Sequence, residues 1–487
     1  MLSHQDSLHR GTAGLYSPHC FFIRADSLAD LDPDGDEPTP GAVAIHAHEY
    51  VHFLHNVSTC AGAHLFLANI WLLRAIPHCT DANGHVDPEK LAHEQAEHSV
   101  SLASRWIKAL RGGADSALAE FKGGNATTWS FGSIQDLSES FDLVLSSHTI
   151  EGAQVHVESR DRRGKHAAGV VSIGYDLITE GVAYEVDREI RRVNGTPRFD
   201  LDDSTDAYPY LFFGALADHL VGRETTANER IDLGVCALLA SSPGKAFVQL
   251  CEQLARAKPP VSTSSRLPEV IRNEATADFK AKAMEMVSKT LKPALTELAP
   301  GSELHEAATD ILALFHAGFA LRTINPVLEL TLVGSPLDGH RFRQRVGGLL
   351  DCCVLQEKPE GRLYIQWIGP GIVGRDEKDA ARFGRLQSAI HFAQRHLLPS
   401  GKLCSTADLR AMPCPYSGAC VAEASDGNPE ACREAPWTRF LGARPGQPIC
   451  WYASGVKSLA KRRSAGILLA AILIGGVAAV LWVYATH

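Results

Sequence analysis

The chain is expected to fold as a mostly α-helical α+β protein with one small β-sheet or hairpin and a single C-terminal transmembrane helix. Three observations predict this. Long stretches carry apolar residues at helical spacing and are punctuated by Gly and Pro; one confined stretch, 153–173, alternates at period two; and Ser464 to Thr486 runs without a charge.

Taken in order, Cys20 to Arg24 is a short apolar strand, and the acidic, proline-bearing Asp30 to Pro40 is a connection. Thr39 is placed to cap a long helix with Pro40 in its first turn, running past Trp71 and Leu73 until Pro77 stops it. Helices are expected at Pro88 to Leu110 and Leu137 to Leu145. Between Ala153 and Ile173, Val155 and Val157 alternate with polar residues. A polar turn (Arg160 to Lys165) and the apolar Gly169 to Ile173 follow, so a β-hairpin should feed a helix over Tyr175 to Arg192. Further helices are expected at Tyr208 to Val221, Glu229 to Leu239, Gly244 to Ala257, Pro268 to Leu298, Leu304 to Thr323, Arg341 to Leu355 and Asp376 to Leu398, with a strand at Arg362 to Ile368. The resulting organisation is a main domain over 1–400, a Cys-rich segment over 401–452, a basic juxtamembrane linker over 453–463 and the span over 464–486.

With 487 residues, 45% of them hydrophobic and 21% charged, the body has the composition of an ordinary soluble globular protein. A net charge of -9 argues against an electrostatic nucleic-acid binder. No secretory signal is visible behind the polar start MLSHQDSLHRG. The 464–486 run reaches roughly 34 Å at about 1.5 Å per helical residue, enough to cross a bilayer core. Lys457, Lys461, Arg462 and Arg463 precede it and only Ala485, Thr486 and His487 follow its apolar part, an asymmetry expected to keep the N-terminal body cytoplasmic. A bacterial inner membrane is the expected location, and the lipid bilayer a partner. Ala471, Gly475 and Ala479 recur every four positions and suit a helix-to-helix contact, which makes a homodimer an expectation.

The chemistry concentrates in His48-Glu49-Tyr50-Val51-His52, inside the first long helix. Residues four apart share a helix face, so His48 and His52 can aim their imidazoles at one cation, with Glu49 beside a metal-bound water. Zinc at such a site lowers the pKa of its water to about 7, and the carboxylate takes the proton as the water attacks a carbonyl. A catalytic zinc keeps three protein ligands, so a third must come from elsewhere. The arrangement that continues with Gly and then His is excluded, because those positions hold His55 and Ser58.

A second segment, Thr179-Glu180-Gly181-Val182-Ala183-Tyr184-Glu185, then brings the chain to resemble the gluzincin metallopeptidases. It is similar to the element that carries their third ligand, in the aminopeptidase branch Asn-Glu-Gly-Phe-Ala. The resemblance covers residues 46–56 and 179–187. It implies a zincin-like α+β fold, Zn2+ held by His48, His52 and Glu180, and Glu49 as general base. The two elements are separated by residues 53–179, a longer gap than most gluzincins show, so a helical and hairpin insertion must fold between them. No Gly-x-Met-Glu-Asn exopeptidase motif is present, which favours an endopeptidase over an aminopeptidase.

Within that insertion the 153–173 hairpin could offer an edge strand to an extended polypeptide substrate, or be an ordinary structural hairpin. A second stabiliser of the developing oxyanion is also required. Tyr184, Tyr208, Tyr210 and His219 are the candidates. Tyr184 is preferred, since buried tyrosines such as Tyr208 and Tyr210 are usually packing residues. Asp176 and Asp187 are placed to orient ligand imidazoles, and His46 and His55 read as satisfied helix histidines.

Twelve cysteines at irregular spacings in a reducing compartment should be thiols or metal ligands. Cys404, Cys414, Cys420 and Cys432 could hold a second, structural Zn2+ or an iron–sulfur cluster, or stay free or redox-sensing. The function expected is a membrane-tethered zinc endopeptidase. A membrane-anchored scaffold or sensor with a structural or inactive metal site is the alternative, and a zinc hydrolase of non-peptide bonds is the third reading.

Overall fold

A computed structural model describes residues 14–15, 21–32, 37–81, 84–90, 94–121, 127–143, 146–197, 200–202, 205–257, 265–298, 302–358, 363–409, 414–416, 429–441 and 450–459. The expected span at 464–486, residues 460–463 of the basic linker and Cys420 lie outside these residues. Among the described residues, Cys60–His78 and Glu303–Ile324 are long and apolar enough to cross a membrane. The core helix of a soluble fold meets the same two conditions.

The protein is mostly helical with small sheets, an α+β fold. It divides into two compact units, each drawn from several stretches of chain. The first comprises Met1–Ala68, Arg105–Ala294 and Thr309–Ala380; the second Asn69–Ser104, Leu295–Ala308 and Ala381–His487.

In the first unit, one sheet has the order β1-β2-β7-β8: β1 (Gly14–Leu15), β2 (Phe22–Ala25), β7 (Cys352–Glu357) and β8 (Leu363–Ile368). β2 runs parallel to β7, and β8 returns antiparallel to it. The expected helix over Arg341 to Leu355 therefore divides. Helix α12 (Gly339–Val346) stops before Gly347 and Gly348, and Cys352 to Leu355 form an inner strand. A strand with neighbours on both sides and both faces covered reads as a continuous apolar run rather than an alternation.

The other sheet has the order β3-β6-β5-β4, with β3 (Gly113–Ala114), β4 (Thr128–Leu143), β5 (Ser146–Arg160) and β6 (His166–Ile173). Over Leu137 to Leu143 the expected helix (Leu137 to Leu145) is instead the end of β4, and its last two residues lie outside the described residues. Leu137, Phe141 and Leu143 alternate with Ser138, Ser140 and Asp142, and period two prevails once β5 pairs along the strand. The expected hairpin is present as β5–β6, but it is interior, with β3 on one side and β4 on the other. Among the described residues the long free edge of this sheet is β4.

Helix α1 (Pro40–Ser58) starts as expected: Thr39 accepts the Ala42 N–H at 3.1 Å and Pro40 sits in the first turn. The predicted single helix breaks at Thr59, and α2 (Cys60–Ala75) follows. Almost all of α1 is buried, which is the environment of a helix apolar on most of its circumference. Tyr50 fixes it by donating its hydroxyl to the Leu350 carbonyl at 2.8 Å while accepting the Leu350 N–H at 3.0 Å.

Helix α3 (Glu94–Arg111) precedes the second sheet, α4 (Ser116–Ala119) lies between its β3 and β4, and α5 (Tyr175–Val193) leaves β6 directly and packs along α1. Against α5 lie α6 (Phe212–Val221) and α7 (Ala227–Leu238). Gly181 lets them close: a Cβ there would lie 2.0 Å from the Phe213 ring. The body continues through α8 (Pro243–Arg256), α9 (Glu269–Glu285), α10 (Lys292–Thr296), α11 (Glu303–Ile324) and α13 (Glu377–Arg395).

The second unit is organised around aromatic side chains. Tyr416 donates its hydroxyl to the Gly384 carbonyl at 3.0 Å and packs edge-on against Trp451, while Phe392 meets Trp437. His391 bonds the Tyr452 hydroxyl at 2.9 Å. The Cys414 N–H donates to the Cys432 carbonyl at 2.7 Å, and both residues are buried. The described part of the Cys-rich segment is thus packed into this unit.

Candidate metal centre

One helical turn of α1 carries His48 and His52, and α5 supplies Glu180 opposite them. The two imidazole Nε2 atoms are 3.1 Å apart, His52 Nε2 lies 3.3 Å from Glu180 Oε2, and His48 Nε2 lies 3.7 Å from the same oxygen. The three residues can hold a metal ion, since their ligand atoms all lie within 4.8 Å of one another. Four-coordinate tetrahedral binding at about 2.0 to 2.1 Å per bond separates donors by roughly 3.3 Å, the spacing these side chains adopt.

The donor set is electrostatically primed. Burial pushes the Glu180 carboxyl upward, but the attraction of His52, hydrogen bonds to His48 and His52, and the charge of His48 outweigh it and hold the group well below the usual carboxylate range. The side chain keeps 32% of its surface exposed, whereas His52 keeps 7%. The cluster therefore opens to solvent on the glutamate side. Glu49 lies on α1 beside His48 and is buried.

The ring of Tyr210 packs edge-on against His48 at 6.0 Å between centroids and against Tyr184 at 5.5 Å. The charge of Glu180, then burial, then Glu49 push its hydroxyl far above the ordinary tyrosine range. The hydroxyl is thus protonated. Tyr184, the preferred oxyanion donor by sequence, bonds instead to the Leu201 carbonyl at 3.3 Å and to the Asp202 carboxylate. Tyr208 packs on Phe212, and His219 stacks on Phe131 with centroids 4.7 Å apart. The fold brings Tyr210 to the cluster and commits the hydroxyl of Tyr184 elsewhere.

Asp176 pairs with Arg111 at 2.7 Å and Asp187 with Arg191 at 2.7 Å. The orienting partner of His52 is Thr179, whose Oγ1 lies 3.0 Å from His52 Nδ1 and 2.7 Å from His55 Nδ1. Sequence reasoning named Thr179 only as the neighbour of Glu180; His52 and His55, three apart on one face of α1, were the available signal. His46 is satisfied by the Ala29 carbonyl at 2.7 Å.

Among the described residues no second group of three or more metal-ligating side chains accompanies this one. Cys404, Cys414 and Cys432 do not converge into one, and Cys420 lies outside the described residues. A scan of family models, curated proteins and solved structures finds no match to this chain.

Proposed function

We propose that the protein is a zinc-dependent endopeptidase of zincin-like fold, tethered to the cytoplasmic face of a membrane by its 464–486 segment. The observation that carries the proposal is the spacing of His48, His52 and Glu180, which fits one tetrahedral ion. Two imidazoles and one carboxylate form a donor set of the catalytic zinc type, with room left for a fourth ligand. The resemblance of the 46–56 and 179–187 segments to gluzincins supports the same assignment.

When bound, zinc supplies Lewis acidity, lowering the pKa of water and polarising the carbonyl under attack. The protein's own groups do the rest. Glu49, one residue from His48, takes the proton of the attacking water and delivers it to the departing amine. Tyr210, held protonated by the charge around it, donates a hydrogen bond to the oxygen on which negative charge develops. Thr179 keeps His52 oriented. An extended polypeptide is the substrate this reading favours, with the edge of β4, free among the described residues, for backbone pairing.

Glu49→Gln is the test. The variant is expected to take up zinc as the parent does and to cleave a fluorogenic peptide library about 10²- to 10⁴-fold more slowly. Cleavage at the parent rate would remove Glu49 from the mechanism.

A further inference from the structure

A group of charges along α5 has no part in the hydrolytic reading. Glu185 is buried and accepts from Arg230 Nη1 of α7 at 2.9 Å and from Arg188 Nη2 of its own helix at 2.7 Å. Arg188 Nη1 reaches on to the Asp202 carboxylate at 3.4 Å. Asp202 in turn accepts the hydroxyl of Tyr184, which also approaches the Leu201 carbonyl at 3.3 Å. The Arg188 guanidinium stands over the Tyr184 ring, 5.9 Å from its centroid, close enough for a cation–π contact. Tyr184 is therefore held twice, by its hydroxyl and by its ring.

With its hydroxyl engaged by a carboxylate and a carbonyl, what Tyr184 offers the metal cluster is its ring. That ring lies 5.5 Å from the ring of Tyr210 at an angle of 47°, and the Tyr210 ring lies 6.0 Å from that of His48 at 64°. Among the described residues these are the two ring contacts of Tyr210. Tyr210 is only half-buried and stands on the Ala207–Leu211 turn, so its own surroundings leave more than one staggered side-chain position open. A ring fixed at both ends gives Tyr210 a rigid wall to rest on. A misplacement of about 1 Å at a reacting group can cost about 100-fold in rate, so such a wall has a kinetic consequence.

We propose that Tyr184 is a positioning residue: anchored through Asp202 and Arg188, its ring holds the ring of Tyr210 beside His48. The kinetic half of this inference rests on the hydrolytic reading, because the position of Tyr210 matters to the rate only where its hydroxyl meets developing negative charge. Tyr184 thereby serves the site without touching substrate, and the buried charges of α5 are its foundation.

The experiment uses the full-length protein in detergent and reads two things. In metal-free protein with ring-labelled tyrosine and histidine, the nuclear Overhauser contact between the Tyr210 and His48 rings reports the position directly. The parent should show it, Tyr184→Leu should lose it, and Tyr184→Phe, which keeps the ring, should retain most of it. With zinc and a peptide that the parent cleaves, Tyr184→Leu should lower kcat up to about 100-fold at unchanged KM and unchanged zinc affinity, and Tyr184→Phe should recover most of that loss. In a Tyr210→Phe background the leucine substitution should cost nothing further, because the group it positions is gone. An intact ring contact in Tyr184→Leu, or an equal loss of kcat in both backgrounds, overturns the proposal. Asp202→Asn loosens the anchor and leaves both rings in place; an unchanged contact there overturns it even if the leucine variant fails to fold. A Tyr210→Phe enzyme with parental kcat, or a parent that takes up no zinc, sinks the hydrolytic reading instead, while the ring contact in metal-free protein still decides whether Tyr184 seats Tyr210.

Discussion

Two histidine–glutamate pairs hang from the same helix and differ in almost everything except distance. His52 and Glu180 approach to 3.3 Å, and His55 and Glu329 to 3.2 Å. Glu180 is about a third exposed and faces two imidazoles; Glu329 is fully buried and pinned by Arg322. In the first pair a carboxylate at an opening faces two imidazoles, and the three side chains can hold a cation. In the second pair the cation is already supplied by the protein. A short His–Glu distance therefore does not define a metal site, whereas exposure and the identity of the third partner do.

The sharpest way to break this comparison is to remove the internal cation. Arg322→Met leaves Glu329 charged, buried and without its guanidinium, and removal of one partner from a buried pair costs about 3–5 kcal/mol. Chemical denaturation should show that loss. A variant as stable as the parent would mean that Glu329 has another source of compensation and that the two pairs are less different than their surroundings imply.

Acid provides the next largest effect, and its sign follows from burial. His55 and His46 are both lowered by burial from the usual 6.5 to about 4, and in the unfolded chain both regain the usual value. The folded state therefore resists protonation. Stability from these groups is intact above pH 6.5, falls as pH drops from 6.5 toward 4, and levels off below that. At 1.36 kcal/mol per unit, each group contributes on the order of 3 kcal/mol across the window. Unfolding free energies measured at several pH values should trace this slope, and His55→Phe should remove its share if the variant folds. A profile flat across the window would show that the inner histidines are already charged in the native state.

The half of the comparison that could be read from sequence is the local half. His48, Glu49 and His52 share one helical turn, and the Thr39 cap and Pro40 that place it are adjacent in the chain, so periodicity and capping suffice. Glu180 was reachable through its neighbours Thr179 and Gly181. The dry pair was not, because Glu329 sits on a 3₁₀ turn (Leu328–Thr331) far along the chain and reaches His55 only through packing. Tyr210 was passed over in favour of Tyr184 for a related reason. Which tyrosine ring packs against His48 is decided by how the Ala207–Leu211 turn enters α6, and no periodicity encodes that. The end of β4 was misread because Leu137 to Leu145 satisfies helical and alternating spacing nearly equally until its pairing with β5 is known.

The smallest expected effect on the fold is the most telling for function. Glu180→Gln keeps the shape of the side chain and removes its charge at a position open to solvent, so metal-free stability should stay within about 0.5 kcal/mol of the parent. The same change weakens one of three ligands and should cost more zinc affinity than the about 10- to 100-fold typical of outer partners. Thermal melts with and without zinc separate the two consequences. The parent gains melting temperature on adding zinc, because an ion that binds only the folded state stabilises it by mass action. Glu180→Gln should melt with the metal-free parent and gain little when zinc is added. If the variant is instead as destabilised as Arg322→Met and still responds to zinc, Glu180 is a structural carboxylate like Glu329, and the ion must find its third donor elsewhere.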